Sequence, residues 1–347
     1  PRTGTASMPG ASGAREATYE AAPNIALVKY WGIRDPGRAL PYNSSLSITL
    51  EGLRTRTTVR FEPRRTEDSL TLNGRPAVGP PLAAVREFLD RVRRQAGRAE
   101  FARVRSRNNF PTASGLASSA SGFAALAGAA SRAAGLDLSA ADLSRLARFG
   151  SGSACRSVFG GFVEWQAGRR ADGGDCLAQR LYPPGHWPTL VDLVCGVADA
   201  PQKEVRSAVA MQASVRTSPG FAARQRALPG RLRRIRAAIG RRDGGRLFPL
   251  LIEECDDFRA VCEGTRPSLD YLTATSRRIL SSVLELNRVA GRPVAGYTHD
   301  AGAHVHLFTE RADLPRLRAA LKDLDGIARY WTLRPGPGGR FVDSTVR

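Results

Sequence analysis

Lysine is nearly absent. Only Lys29, Lys203 and Lys322 occur among 52 basic residues in a chain of 347, and the rest are arginine. With 32 acidic residues the formal net charge is +20. Such a surplus favours anionic partners (nucleic acid, acidic membranes, phosphorylated metabolites) without choosing among them. Aromatics are also scarce, at 7%, and the arginine-rich stretch 231–242 contains none. That argues against a specific nucleic-acid binder, which interleaves basic residues with aromatic stacking platforms. The five cysteines (155, 176, 195, 255 and 262) are odd in number and include no CxxC pair. A disulfide framework or structural zinc site is therefore not expected, and a reducing, cytoplasmic setting fits best. No run of about 18 uncharged apolar residues exists, so no membrane-spanning helix is expected. Residues 1–17 lack the apolar block of a secretory leader and read as a loose, disordered tail. The Walker pattern G-x-x-x-x-G-K-[ST] is missing too, which argues against an ordinary P-loop nucleotidase.

What is present suffices for two cores: 42% of residues are hydrophobic, and this length suggests two domains. Apolar or alternating segments predict strands over 24–30, 45–50 and 54–61, the last two as partners, then 70–74, 101–105 and 158–165. Helical spacing predicts helices over 81–96, 118–134 and 142–148, with Ser139 as N-cap of the third. Residues 172–187, with Gly-Gly and Pro-Pro, read as a surface excursion between halves. A buried strand over 190–197 follows. Helices are then expected over 207–241 (broken at Pro219 and Pro229), 248–262, 268–289 and 314–324. Two short strands, 295–299 and 304–308, flank an Asp-Ala-Gly turn. No regular βαβα alternation appears, so the fold class is α+β rather than a doubly wound sheet. The expected organisation is a tail over 1–17, an N-terminal domain over 18–187 and a C-terminal domain over 188–347.

The most informative stretch is 111–122, PTASGLASSASG, where glycine and small hydroxyl residues precede an alanine-rich helix. Backbone N–H groups of such a loop approach an anion closely, and the helix N-terminus faces it with its positive dipole end. The plain alternative is a small-residue helix packed tightly on a neighbour. Pro111, Gly115, Leu116 and Ser118 to Ser121 resemble the phosphate-binding motif of the GHMP kinase superfamily. Residues 22–32 (APNIALVKYWG), 108–112 (NNFPT) and 150–157 (GSGSACRS) narrow the resemblance to the diphosphomevalonate decarboxylases. Residues 217–219 (TSP) and 297–302 (YTHDAG) agree, and the likeness spans about Tyr19 to Phe308.

This resemblance implies the GHMP fold, with a ribosomal-S5-like N-terminal half, a ferredoxin-like C-terminal half and the site between them. The implied activity is ATP- and Mg2+-dependent decarboxylation of mevalonate 5-diphosphate to isopentenyl diphosphate. It proceeds through 3-phosphorylation and releases ADP, phosphate and CO2. A cytoplasmic homodimer with no membrane or specific nucleic-acid partner is the implied assembly. Carried over residue by residue, Asp300 is the catalytic aspartate that accepts or orients the 3-hydroxyl proton, and Arg156 holds the substrate carboxylate, steadied by Asn24. Lys29 is catalytic and, with Tyr30, lines the substrate pocket. Ser151, Ser153, Arg206, Ser207 and Met211 complete the substrate side. Pro111, Gly115, Leu116, Ser118, Ser119 and Ser121 form the nucleotide side, with Ser119 as the magnesium ligand.

Read without the family, these residues have other uses. Asp before Ala-Gly makes an Asx-turn, an isolated arginine is usually a surface charge, and a lysine on a strand edge blocks aggregation. His299, His304 and His306 together raise a metal site as an alternative, with His304 otherwise facing the substrate region. One departure stands out: Ile33 occupies a position where the family carries a lysine on the substrate diphosphate. Loss of a charge-assisted bond there is worth about 1.5–3 kcal/mol. It leaves open a phosphomevalonate decarboxylase acting on the 5-monophosphate, with Arg206 as a substitute cation in the diphosphate reading. A kinase that stops after 3-phosphorylation, and a protein that only binds polyanions, are the remaining rivals.

Overall fold

The computed structural model describes residues 16–110, 118–200 and 207–343. The first half runs β1 (Glu16–Ala21), β2 (Asn24–Val28), a small hairpin of β3 (Ile33–Asp35) and β4 (Leu40–Pro41), β5 (Ser45–Thr49) and β6 (Thr55–Glu62). β7 (Ser69–Leu72) and β8 (Arg75–Ala77) flank the Asn73-Gly74 turn. After them come α1 (Pro80–Ala96), β9 (Phe101–Asn108), α2 (Ser118–Ala133), α3 (Ala140–Ala147), the single turn α4 (Ala154–Ser157), β10 (Phe162–Trp165) and β11 (Ala178–Tyr182). The second half holds β12 (Leu190–Val197), α5 (Ser207–Thr217), α6 (Phe221–Arg241), α7 (Gly244–Glu263), α8 (Ala274–Ala290), β13 (Ala295–Thr298), β14 (Val305–Glu310), α9 (Leu314–Leu321), β15 (Ile327–Leu333) and β16 (Arg340–Val342).

Three main sheets result. The first has the order β16-β1-β6-β9-β7-β8, the second β11-β10-β5-β2, and the third β13-β14-β12-β15. In β6, Thr55, Thr57, Val59 and Phe61 turn inward while Arg56, Thr58 and Arg60 turn out, so a single face of the first sheet is buried. Helix α2 covers that face. Its small residues allow the approach: a side chain at Gly128 would begin 2.4 Å from the Tyr19 ring. Close packing on the first sheet is thus one use of this alanine-rich helix.

The second sheet is buried on both faces, and its alternation places the site. Ile25, Leu27, Leu46 and Ile48 point into a core shared with Leu190, Val194, Phe248, Leu251 and Phe308 of the second half. The intervening residues Asn24, Ser45, Ser47 and Thr49 are small and polar and take the opposite face. This arrangement corrects the expected pairing of 45–50 with 54–61. β5 pairs with β2 and β10, whereas β6 pairs with β1 and β9. The physical reason is burial: β5 is covered on both sides and needs neighbours that are too, while β6 keeps an arginine-bearing face in solvent.

Other expectations also shift. The excursion over 172–187 contains β11, an edge strand, and ends in the buried Trp187. Pro229 does not break α6, which continues from Phe221 to Arg241. One backbone donor is lost there, but Leu228, Arg231 and Ile235 keep the inner face buried. β1 starts at Glu16, inside the expected tail, and β16 returns from the C-terminal half to pair with β1. All five cysteines are free and buried.

Candidate active site

Lys29 follows the last residue of β2 and is almost wholly buried, yet its Nζ lies 2.8 Å from Asp300 Oδ1. Asp300 sits in the turn between β13 and β14, where its carbonyl accepts from Gly302 N–H at 2.8 Å. Backbone, not the side chain of an Asx-turn, closes the turn, and the carboxylate is left to Lys29. Burial acts to raise the Asp300 pKa, but Lys29, aided by His306 and Arg156, more than offsets it and holds the carboxyl below its ordinary value. The carboxylate is 30% exposed, so it faces a solvent-reachable space while its partner is shielded.

Arg156, on α4, is only 2% exposed. Its Nε donates to Asn24 Oδ1 at 3.1 Å and its Nη1 to Ser45 Oγ at 2.5 Å. Asn24 Nδ2 in turn donates to the Ser153 carbonyl at 3.1 Å and to Ser157 Oγ at 2.8 Å. The polar face of the second sheet thus holds the guanidinium and the 153–157 turn in one arrangement, leaving further N–H groups for a ligand. Tyr30 is half-buried and packs edge-on to Trp165, with ring centroids 4.7 Å apart. Burial pushes its phenol well above the ordinary value, so it stays protonated. Gly152 is required beneath it, because a side chain there would begin 2.6 Å from the Tyr30 ring.

Ser151 Oγ lies 3.5 Å from Ser119 Oγ and 3.5 Å from Ser153 Oγ, so the 151–153 loop meets the first turn of α2. Ser118 is half-buried and Ser119 exposed at that end. Ser121 requires a correction. Its side chain is fully buried and its hydroxyl pairs with Thr55 Oγ1 at 2.6 Å, so it fastens α2 to β6 and does not face a nucleotide. Met211 is buried in a cluster with Trp31, Phe221, Phe258 and Val261, against which Tyr30 and Ala301 also pack. Ile33 packs on the same cluster, and Ser207 opens α5. Pro111, Gly115, Leu116 and Arg206 lie outside the described residues.

The histidines part company. His306 Nδ1 is 2.8 Å from Asp192 Oδ2 in a buried pair, and His304 Nδ1 accepts from Val197 N–H at 3.2 Å beside Trp331. His304 is thus held by the third sheet, not offered to the substrate region. His299 Nδ1 contacts the Asp300 carbonyl at 2.7 Å, and burial lowers its pKa to about 4, which keeps the ring neutral at ordinary pH. Among the described residues no group of three His, Cys, Asp or Glu side chains is placed to hold a metal. Magnesium beside a nucleotide needs only one or two protein oxygens, the rest coming from phosphates and water. The exposed Ser119 hydroxyl at the start of α2, next to Ser151, fits that demand.

Sequence reasoning passed over three residues that the site uses. Ser45 anchors Arg156, Asn43 Nδ2 donates to the Lys29 carbonyl, and Glu254 Oε1 accepts from the Lys29 N–H. A signal for the last was available in 253–257 (EECDD), an acidic run in an arginine-rich chain whose Glu254 and Asp257 share one helix face.

Comparison with known proteins decides the relationship. Residues 21–178 match the diphosphomevalonate decarboxylase-like N-terminal domain, and residues 193–331 match the mevalonate 5-diphosphate decarboxylase C-terminal domain. The chain belongs to the diphosphomevalonate decarboxylase family. The enzyme of that name from Rattus norvegicus is 42% identical over 321 residues, covering 88% of this chain and 79% of the rat protein. The human one is 43% identical over 308 residues, 84% of this chain and 76% of its own. Among solved structures, MDDEF in complex with MVAPP, AMPPCP and magnesium superposes with a TM-score of 0.88 at 37% identity, covering 95% of this chain and 99% of that one. A mevalonate diphosphate decarboxylase from Staphylococcus aureus gives 0.88 at 34% identity, covering 95% and 98%. The chain therefore has the GHMP kinase fold, in two mixed α+β halves.

Proposed function

We propose that this family member carries out ATP-dependent decarboxylation of mevalonate 5-diphosphate, giving isopentenyl diphosphate, ADP, phosphate and CO2. The observation that carries the reading is one juxtaposition. Asp300, held ionised by Lys29, comes from the second half of the chain, and Arg156, held by Asn24 and Ser45, comes from the first. Electrostatic influence runs between the two, since Asp300 is among the groups that act on Arg156.

In this reading ATP with its magnesium ion supplies the phosphoryl group that turns a tertiary alcohol into a leaving group. Asp300 accepts the proton of the 3-hydroxyl, a role that suits a carboxylate kept charged and partly exposed. Lys29 holds that carboxylate in place. Arg156 grips the substrate carboxylate through its remaining N–H groups, fixing the carbon that departs as CO2 in line with the breaking C–O bond. Ser119 and Ser118 take the nucleotide side at the α2 N-terminus, with Ser119 near the metal, and Ser151 and Ser153 bridge toward the substrate. Tyr30 closes the pocket wall. The proposed assembly is a cytoplasmic homodimer without membrane or specific nucleic-acid partner. Five buried free thiols fit a reducing compartment, and among the described residues no helix is long and apolar enough to cross a membrane. The dimer itself rests on the family resemblance, and sedimentation of the purified protein tests it.

ATP-dependent CO2 release, measured with mevalonate 5-diphosphate, mevalonate 5-phosphate and mevalonate, tests the reaction. Preference for the diphosphate is expected. Preference for the monophosphate would make Ile33 a specificity determinant and replace the proposed substrate. ADP without CO2 would mean a 3-kinase.

A further inference from the structure

Lys29 reaches Asp300 from a place where the sheet has let go of it. β2 ends at Val28, and its register with β5 slips between Ala26 and Val28. Side chains take over both backbone groups of Lys29. The N–H donates to Glu254 Oε1 at 2.9 Å, and the carbonyl accepts from Asn43 Nδ2 at 2.9 Å. Glu254 stands on α7, in the other half of the chain, with no exposure at all. Its carboxylate is itself clamped. Oε1 also accepts from Arg224 Nη2, while Oε2 accepts from Arg231 Nη1 at 2.7 Å and Arg224 Nη1 at 3.3 Å. Both arginines, on one face of α6, continue to Asp257 Oδ2 at 2.8 and 2.6 Å.

We propose that Glu254 is a positioning residue, which grips the Lys29 main chain across the two halves and thereby sets the Lys29 ammonium on Asp300. The inference rests on the reading of Lys29 and Asp300 as the reacting pair. Its physical content is that a charged acceptor binds an N–H more strongly than a neutral one, and that four donors leave this carboxylate no freedom to rotate. A backbone fixed in this way delivers a long, flexible ammonium to one spot. Displacing a positioning group by about 1 Å costs on the order of 10²-fold in rate. The groups facing Asp300 are Lys29 just past β2, Arg156 from α4, His306 from β14 and the adjacent His299. Lys29 is the strongest of those that lower its pKa, so releasing Lys29 raises it. Activity that needs the carboxylate is lost as pH falls through that pKa. The acid limb of kcat/KM therefore moves to higher pH.

Two variants test this. Glu254→Gln keeps the shape and removes the charge, and Asn43→Ala releases the opposite backbone group without touching the arginine cluster. Each is scored by kcat and KM per folded molecule, by the acid limb, and by the 13C titration of Asp300 in protein labelled at aspartate Cγ, assigned with Asp300→Asn. The expected result is a fall in kcat of about 10²-fold, nucleotide binding within about twofold of wild type, and an Asp300 titration displaced upward. Where Glu254→Gln does not fold, Asn43→Ala decides on the same readouts. Wild-type kcat per folded molecule, with the Asp300 titration unmoved, overturns the proposal. Wild-type protein silent in CO2 release would instead remove the functional reading, and the NMR titration would still report whether Glu254 sets the Lys29–Asp300 pair.

Discussion

Replacing Arg156 by lysine keeps the positive charge and removes the planar fork, so it separates attraction from geometry. In the native protein two donors of Arg156 are committed internally, Nε to Asn24 and Nη1 to Ser45. Lysine has no Nε–H equivalent, so Asn24 Oδ1 loses its partner and the single ammonium must choose between Ser45 and the substrate. One charge-assisted hydrogen bond to the carboxylate is then lost, worth about 1.5–3 kcal/mol. That corresponds to a fall of roughly 10- to 150-fold in kcat/KM for CO2 release. Because the carboxylate must also be aligned with the breaking C–O bond, part of the loss should fall on kcat and not only on KM. Arg156→Met, which removes the charge as well, should lose more, and its ADP yield should exceed its CO2 yield as phosphorylation outruns decarboxylation. The assay is paired initial-rate measurement of ADP and CO2 over a range of substrate concentration. Arg156→Lys within about twofold of wild type at all concentrations, with ADP and CO2 in equal amounts, would refute the assignment of Arg156 to the carboxylate.

Three further outcomes follow from the same geometry. Asp300→Asn should lower kcat by about 10²- to 10⁴-fold, the range for removal of a positioned general base, while calorimetric nucleotide binding is retained; near-normal CO2 release would remove Asp300 from its role. Ser119→Ala should raise KM for ATP with little change in melting temperature, whereas Ser121→Ala should lower stability by about 1 kcal/mol with KM for ATP unchanged; reversed effects would overturn the division between a nucleotide-facing and a packing serine. Gly152→Ala should fold and yet lose activity, because its Cβ would meet the Tyr30 ring at 2.6 Å; unchanged activity would show that the contact relaxes without cost to the site.

Much of the fold was legible because periodicity reports burial. The 3.6-residue spacing of Val85, Leu89 and Val92 marks α1, and the apolar run 190–197, broken by Asp192, marks β12, which is buried along its whole length. Pairing was less legible, since a strand's own alternation says which side is buried but not against what. The pattern of 45–50 is compatible with one covered face. Its second face is also covered, by α4 and Arg156, because serine and threonine can be buried when hydroxyls find partners, as Ser45 and Thr49 do. Strands β15 and β16 went unread for a related reason: Arg329, Arg334 and Arg340 crowd that region and hide the alternation, and β15 is exposed or half-exposed except at Leu333. Pro229 reads as a stop because local rules count the missing donor. Tertiary burial of the neighbouring turns outweighs one lost bond.

At the candidate site, the residues proposed to meet the ligand with charge were the legible ones, and the residues that hold those side chains still were not. Asp300, Arg156 and Lys29 stand in short motifs whose residue types are tied to chemistry. Ser121 lies within such a motif and yet does not open outward, because it stands a full turn into α2: Ser118 and Ser119 open the first turn, while the Ser121 hydroxyl meets Thr55 of β6. Conversely, Glu254 lies in no motif at all. It is 225 residues from Lys29 in sequence and bonded to it in space. An arginine-rich chain with a net charge of +20 makes each buried carboxylate informative, since carboxylates are the scarce partner. Glu254 is fully buried, and the desolvation of its charge is offset by Arg224, Arg231 and the Lys29 N–H. Replacing such a cluster by apolar side chains is often neutral or stabilising, so stability alone does not explain its presence. What the cluster supplies that an apolar core could not is a fixed acceptor for one particular N–H, at the end of the strand that carries Lys29 to Asp300.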